Sequence, residues 1–209
     1  MRVIIHVLNP AVVAKHEPEN SESVRVVCGD IFECSEADCI VAPGNSFGIM
    51  DGGLDWYIGV AFPDIEERVQ AAIMAEPWRG ELHVGSAIVL PLAAGKSMCY
   101  APTMRTPSPC ASGSINAYLA MRGALIACAA AGLKTVAVPL LCHGVGKMSA
   151  DASIRQIKHA HRTFMTPTPR DWRSVAEDED LLFGREWQDD DADSLNEVLG
   201  ANVKILKIE

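Results

Sequence analysis

The stretch Cys39-Ile40-Val41-Ala42-Pro43-Gly44-Asn45-Ser46-Phe47-Gly48-Ile49-Met50-Asp51-Gly52-Gly53-Leu54-Asp55 decides how this chain is read. Its first four residues would be apolar on both faces of a strand, which predicts a central strand rather than an edge. That strand runs directly into a long glycine-bearing loop. The pattern recurs downstream. Thr135 to Leu141 predicts a buried strand, and Cys142-His143-Gly144-Val145-Gly146-Lys147 follows it as a second glycine loop. In open α/β sheets ligands bind outside the carboxyl ends of strands, where both loops fall. Glycine lets backbone approach a phosphate closely with N–H groups pointing inward, and a helix starting just after the loop adds a dipole that favours an anion. Each loop taken alone also fits ordinary turn glycines. Together they are compatible with two converging anion-binding loops.

Working outward, Val3 to Leu8 and Val24 to Cys28 read as strands, and the polar stretch Asn9 to Ser23 between them as a loop. Asp64 and Glu67 have capping-box spacing at the start of a helix whose core stripe is Ile65, Val69 and Ile73. Ala87 to Leu90 and Met98 to Ala101 are further strand candidates. A helix is predicted between Ser114, which can cap it, and Gly132, which can end it, with Leu119, Gly123, Ile126 and Ala130 on one face. Ser149 caps a last helix carrying Ile154, Ile157, His161 and Phe164. Alternating strands and helices imply a mostly parallel sheet with helices on both faces, an α/β architecture.

The chain of 209 residues is 49% apolar, enough for one domain spanning 1–209 with a sizeable core. Its net charge of -9 argues against general nucleic-acid binding. Much of that charge lies between Asp171 and Asp193, with ten acidic and two basic residues. Residues 165–193 therefore read as a solvated acidic excursion, after which Ser194 to Leu199 (helix) and Val203 to Ile208 (strand) return to the sheet. The seven cysteines are odd in number and form no CxxC pair, so neither a disulfide framework nor a zinc site is predicted. A reducing cytoplasm fits them best. His159 and His161, two apart on a helix, diverge and make a poor metal pair, and no metal or cofactor is expected. Met1 to Val7 is too short and broken for a signal peptide, and Ala124 to Ala131 is too short to span a membrane.

Two familiar phosphate motifs are approached but not met. Gly144-Val145-Gly146 begins a dinucleotide fingerprint that fails at Ser149, and Gly146-Lys147 begins a P-loop ending that fails at Met148. The order Gly29-Asp30-Ile31, then Ala37-Asp38-Cys39-Ile40-Val41-Ala42-Pro43-Gly44-Asn45, then Gly52-Gly53-Leu54-Asp55, and finally Val136 to Gly146, instead resembles the macro-domain pattern over about Val24 to Phe164. The resemblance implies a three-layer α/β/α fold with a mixed, mostly parallel central sheet. It implies binding of ADP-ribose, or a related NAD-derived nucleotide, free or on a macromolecule. By the same resemblance Asp30 and Ile31 would hold the adenine, and Asn45 the distal ribose. Gly52, Gly53 and Leu54 would form one phosphate loop, and Cys142, His143, Gly144, Val145 and Gly146 the other. Asp55 would orient or activate water, making Asn45 and Asp55 the catalytic pair of an ADP-ribosyl hydrolase.

The sequence also departs from that pattern. Ala42 stands where the family has its first asparagine, Met50 and Asp51 replace glycines, His143 replaces a small hydroxyl residue, and Gly146 replaces an aromatic one. Phe47, Trp56 or Tyr57 are candidates to supply the lost stacking, and Arg105 is a candidate to reach a phosphate. A non-catalytic ADP-ribose reader and an interaction protein on the same scaffold stay open as alternatives.

Overall fold

The computed structural model describes residues 1–111, 113–167 and 171–183, and the chain divides into two compact units, Met1–Pro167 and 168–209. The first unit is built on six strands: β1 (Arg2–Val7), β2 (Val24–Cys28), β3 (Cys39–Ala42), β4 (Ile88–Pro91), β5 (Ser97–Tyr100) and β6 (Thr135–Pro139). They form one sheet in the order β2-β1-β6-β3-β5-β4, parallel throughout except for the antiparallel edge strand β4. The strand read as central, β3, is central. The Asp38 carboxylate just before it accepts from the N–H groups of Lys134 and Thr135, each at 2.9 Å. Those bonds hold its charged form well below the usual carboxylate range. They also clamp β3 beside β6, so the loops leaving the far ends of these strands emerge as neighbours.

The described residues of this unit form five α-helices: α1 (Pro10–His16), α2 (Gly53–Ala61), α3 (Ile65–Met74), α4 (Asn116–Ala130) and α5 (Ala150–Met165). On one face of the sheet, Val3, Ile5, Val7, Val41 and Val138 pack against Met121, Leu125 and Cys128 of α4 and Ile154 and Ile157 of α5. On the other, Ala42, Met98 and Tyr100 pack against Ile58 of α2 and Ile65, Val69 and Ile73 of α3. The result is the expected three-layer α/β/α arrangement. Among the described residues no helix is long and apolar enough to cross a membrane.

Three local expectations are corrected. The segment Asn9 to Ser23, read as loop, contains α1. Asn9 caps it by accepting from the Ala11 N–H at 3.0 Å, and Pro10 occupies the first turn, where its missing N–H costs nothing. Asp64 makes no capping bond and instead pairs with Arg68 at 3.3 Å. In α4 the buried face is Ala117, Met121, Ala124 and Cys128, while Ile126 is exposed. The core side is marked by Met121 and Leu125 together with small alanines, and the stripe drawn through Ile126 is rotated off it. Ser149 does cap α5, accepting from the Ala152 N–H at 3.2 Å.

In the second unit the described residues form α6 (Trp172–Phe183), so part of the acidic stretch is helical. Asp171 accepts from the Ser174 N–H at 2.8 Å at its start. The expected helix Ser194 to Leu199 and strand Val203 to Ile208 lie outside the described residues.

Candidate functional site

Because β1, β6 and β3 are parallel neighbours, their carboxyl ends share one edge of the sheet. A cleft of about 620 Å³ opens there, lined by both glycine loops. Leu8 and Asn9 from the end of β1, and Pro43 and Gly44 from the end of β3, also line it, as do Thr103 and Met104.

The first loop is held from beneath by Tyr100 of β5, which has no exposed surface. Its hydroxyl donates to the Asn45 carbonyl at 2.9 Å and accepts from the Asn45 N–H at 3.0 Å. The Asn45 side chain ties the loop to itself. Its Oδ1 accepts from the N–H groups of Phe47 (3.0 Å) and Ile49 (3.4 Å), and its Nδ2 donates to the Ile49 carbonyl at 2.7 Å. The Met50 N–H is taken by Glu66 Oε1 at 3.1 Å. Beyond it Gly52 serves as the N-cap of α2. The first-turn N–H groups of a helix have no acceptor within it, so this end of α2 offers donors to the cleft.

The second loop closes on itself in a similar way. Cys142 and Lys147 adopt the left-handed backbone region, with φ of 60° and 58°. The Cys142 carbonyl accepts from the Met148 N–H at 3.0 Å. A Cβ on Gly146 would lie 2.3 Å from that carbonyl oxygen, so no side chain fits there. The aromatic residue expected from the family pattern is excluded by this turn. His143 Nδ1 donates to the Met148 carbonyl at 2.8 Å, leaving the other edge of its exposed ring free to face outward.

Of the residues singled out from sequence, Asn45, Gly52, Gly53, Leu54, Asp55, Cys142, His143, Gly144, Val145 and Gly146 all line this one cleft. Asp30 and Ile31 do not. Asp30 is exposed and accepts from the Phe32 N–H at 2.9 Å, and Ile31 is buried against Ala37 and Ala137. They stand at the end of β2, one strand beyond His6. That histidine lines the cleft and donates from Nδ1 to the Gly29 carbonyl at 3.4 Å. Burial pushes the His6 pKa down, favouring the neutral ring.

No family model matches the sequence. An uncharacterized protein of Aeropyrum pernix is 30% identical over 163 residues, covering 78% of this chain and 83% of its own length. An uncharacterized protein of Aquifex aeolicus is 33% identical over 147 residues, covering 68% and 82%. Among solved structures, the macrodomain of Mycobacterium tuberculosis DarG superposes with a TM-score of 0.56 at 18% identity, over 65% of this chain and 88% of that one. Thermosipho africanus DarTG in complex with ADP-ribose gives 0.55 at 17% identity, over 85% and 56%. The chain has the macrodomain fold.

The cleft carries little positive charge. Among the described lining residues there is no lysine or arginine. Arg105 is engaged elsewhere: it grips Glu81 through two bonds at 2.7 and 3.1 Å and stacks over Phe47 at 5.0 Å. Phe47, Trp56 and Tyr57 are likewise absent from the lining. An anion would therefore be held by backbone N–H groups. Asp55, in the first turn of α2, is only 8% exposed, and its Oδ1 has no hydrogen-bond partner among the described residues. Burial, together with the nearby charges of Asp51 and Glu66, pushes its pKa up to about 7. It can therefore take or give a proton near neutrality.

His6, Leu8, Thr103, Met104 and Tyr100 were not picked out from sequence. The end of β1 could have been, since a strand parallel to and beside β6 must deliver its carboxyl end to the same edge. Tyr100 gives a direct test. Tyr100→Phe removes both bonds to the Asn45 backbone and is expected to lower stability by about 1–3 kcal/mol. Thermal melts, with amide hydrogen exchange at residues 45–50, would read it. Unchanged protection of that loop would remove Tyr100 as its anchor.

Proposed function

We propose that this macrodomain binds ADP-ribose in the cleft and hydrolyses ADP-ribosyl linkages, with Asp55 as the proton acceptor for water. The observation that carries the reading is the buried Asp55 carboxylate, whose Oδ1 has no hydrogen-bond partner among the described residues, in a cleft lined by two loops that can offer backbone N–H donors. A diphosphate spanning the β6 and β3 loops would put one ribose toward Asp55. The base would then point along the strand ends toward β1 and β2, where His6 and Asp30 stand. Asp30 has spent one acceptor site on Phe32, and a carboxylate offers more for an exocyclic amine. Asn45, buried and bonded to its own loop, would act mainly by shaping the β3 loop around the distal ribose.

A second reading, a binding module without turnover, draws support from that same commitment of the Asn45 side chain to Phe47 and Ile49. Calorimetry with ADP-ribose, ADP and AMP is the first test. Affinity should fall in that order, by roughly tenfold or more from ADP-ribose to AMP, as loop contacts are lost. Absence of heat with all three would end both readings. If ADP-ribose binds, release of ADP-ribose from a mono-ADP-ribosylated protein separates the enzyme from the reader.

A further inference from the structure

The end of the cleft around Asp55 carries more negative charge than a site for a wholly anionic ligand should. Asp51 lines the cleft beside Asp55, and Glu66 faces Asp55 from α3. The hydroxyl of Tyr100 is a further titratable group beside them, and burial, with the charges of Asp55 and Glu66, keeps it protonated; His6 and His143 line the same cleft. Among the described lining residues no cation offsets the acids. Glu66 is fixed in place by the Met50 N–H at 3.1 Å and by Gln70 Nε2 at 3.3 Å. Asp55, nine-tenths buried, has no hydrogen-bond partner for its Oδ1 among the described residues. A group arriving here should bring positive charge and N–H donors.

We propose that this end of the cleft is an acceptor subsite for a guanidinium, so that the preferred substrate is ADP-ribose N-linked to an arginine-type side chain. The proposal rests on the ADP-ribose reading above and specifies the group to which the sugar is attached. A guanidinium is always charged and presents planar N–H donors that suit a carboxylate. Its arrival would supply the counter-charge that Asp55 lacks and favour the ionised form. The reaction then balances without a further reagent. Water oxygen bonds to the anomeric carbon, and the carbon–nitrogen electron pair leaves on the guanidine nitrogen. The proton lost by water passes to Asp55 and on to the guanidine, which departs as guanidinium. A terminal phosphate would instead bring a like charge against Asp51 and Asp55, and an ester, neutral when bound, would leave as a carboxylate facing the same acids.

Calorimetry at pH 7 on the full chain tests this with three probes: ADP-ribose, ADP-ribose N-linked to a simple alkylguanidine, and ADP-ribose bearing a phosphate on the anomeric carbon, the last two with the ring oxygen of the distal ribose replaced by methylene so that neither is hydrolysed. The guanidine conjugate should bind roughly tenfold or more tighter than the phosphate derivative. Repeating the titrations in two buffers of different ionisation enthalpy should show proton release with the conjugate and proton uptake with the phosphate, because the two charges move the Asp55 equilibrium in opposite directions. Asp51→Asn should shrink the preference by about threefold or more. Equal or tighter binding of the phosphate derivative, with ADP-ribose still bound, would overturn the guanidinium subsite and leave the ADP-ribose reading standing. Failure of ADP-ribose itself to bind would remove both.

Discussion

Asp55→Asn is expected to cut ADP-ribosyl release by about 10²–10⁴-fold, the span assigned to a positioned acid–base group. Binding of free ADP-ribose should stay within about threefold, since that ligand brings no charge to the Asp55 end. In the native protein kcat/KM should rise with pH and level off above about 7, because the ionised carboxylate is the competent base and its pKa is raised to about 7. Stability should move the other way. An acid whose folded pKa lies above its unfolded value favours the fold at low pH, and it loses that contribution as pH climbs from about 4 toward 7. Holding Asp55 at about 7 rather than 3.8 costs the ionised fold up to about 4 kcal/mol. Asn cannot ionise, so Asp55→Asn should melt higher than the native protein at pH 8 and not at pH 4. A variant less active and less stable at both pH values would show that Asp55 only supports packing.

What the sequence disclosed and what it hid follow from the range of the interactions involved. β3 and β6 with their glycine loops were legible because a buried parallel strand is a continuous apolar run, and a loop that must turn tightly over backbone needs glycine. Asp55 was legible as a candidate through the spacing of the motif around it. Its state was not, because burial, the largest cause of its raised pKa, and the charge of Glu66 come from elements outside the motif; Asp51 within it adds the rest. The role of Arg105 was hidden for a similar reason. Its partner Glu81 lies 24 residues away, and no local pattern joins them. Helix α1 was missed because Asn9-Pro10, which starts it, reads equally well as a turn. The core face of α4 was missed because it mixes Ala117 and Ala124 with Met121 and Leu125, and a stripe drawn through Ile126 is rotated off it. The reach of β1 into the cleft depends on its pairing with β6, 133 positions away in register (Arg2 with Thr135).

Gly44→Ala should be among the most damaging single methyl additions available in this chain. The Cβ it introduces would sit 2.0 Å from the Tyr100 hydroxyl oxygen and 2.1 Å from the ring carbon bearing it. Tyr100 is fully buried, so it cannot swing into solvent. Either the ring moves and both hydrogen bonds to the Asn45 backbone break inside the core, or the β3 loop lifts away from β5. The first route combines overpacking with lost buried hydrogen bonds and should cost about 3–5 kcal/mol. The second should weaken ADP-ribose binding by roughly tenfold or more, since loop donors displaced by an ångström no longer meet the diphosphate. Gly59→Ala is the matched control: nothing lies within 4 Å of its new Cβ, it sits inside α2, and it should stabilise by about 0.5–1 kcal/mol. Replacing Tyr100 by Val should make room for the methyl, so in that background Gly44→Ala should cost much less than alone, a coupling that a double-mutant cycle measures. Equal costs in the two backgrounds would mean that Gly44 is required for some reason other than the ring beneath it, and the account of how the β3 loop is anchored would fall.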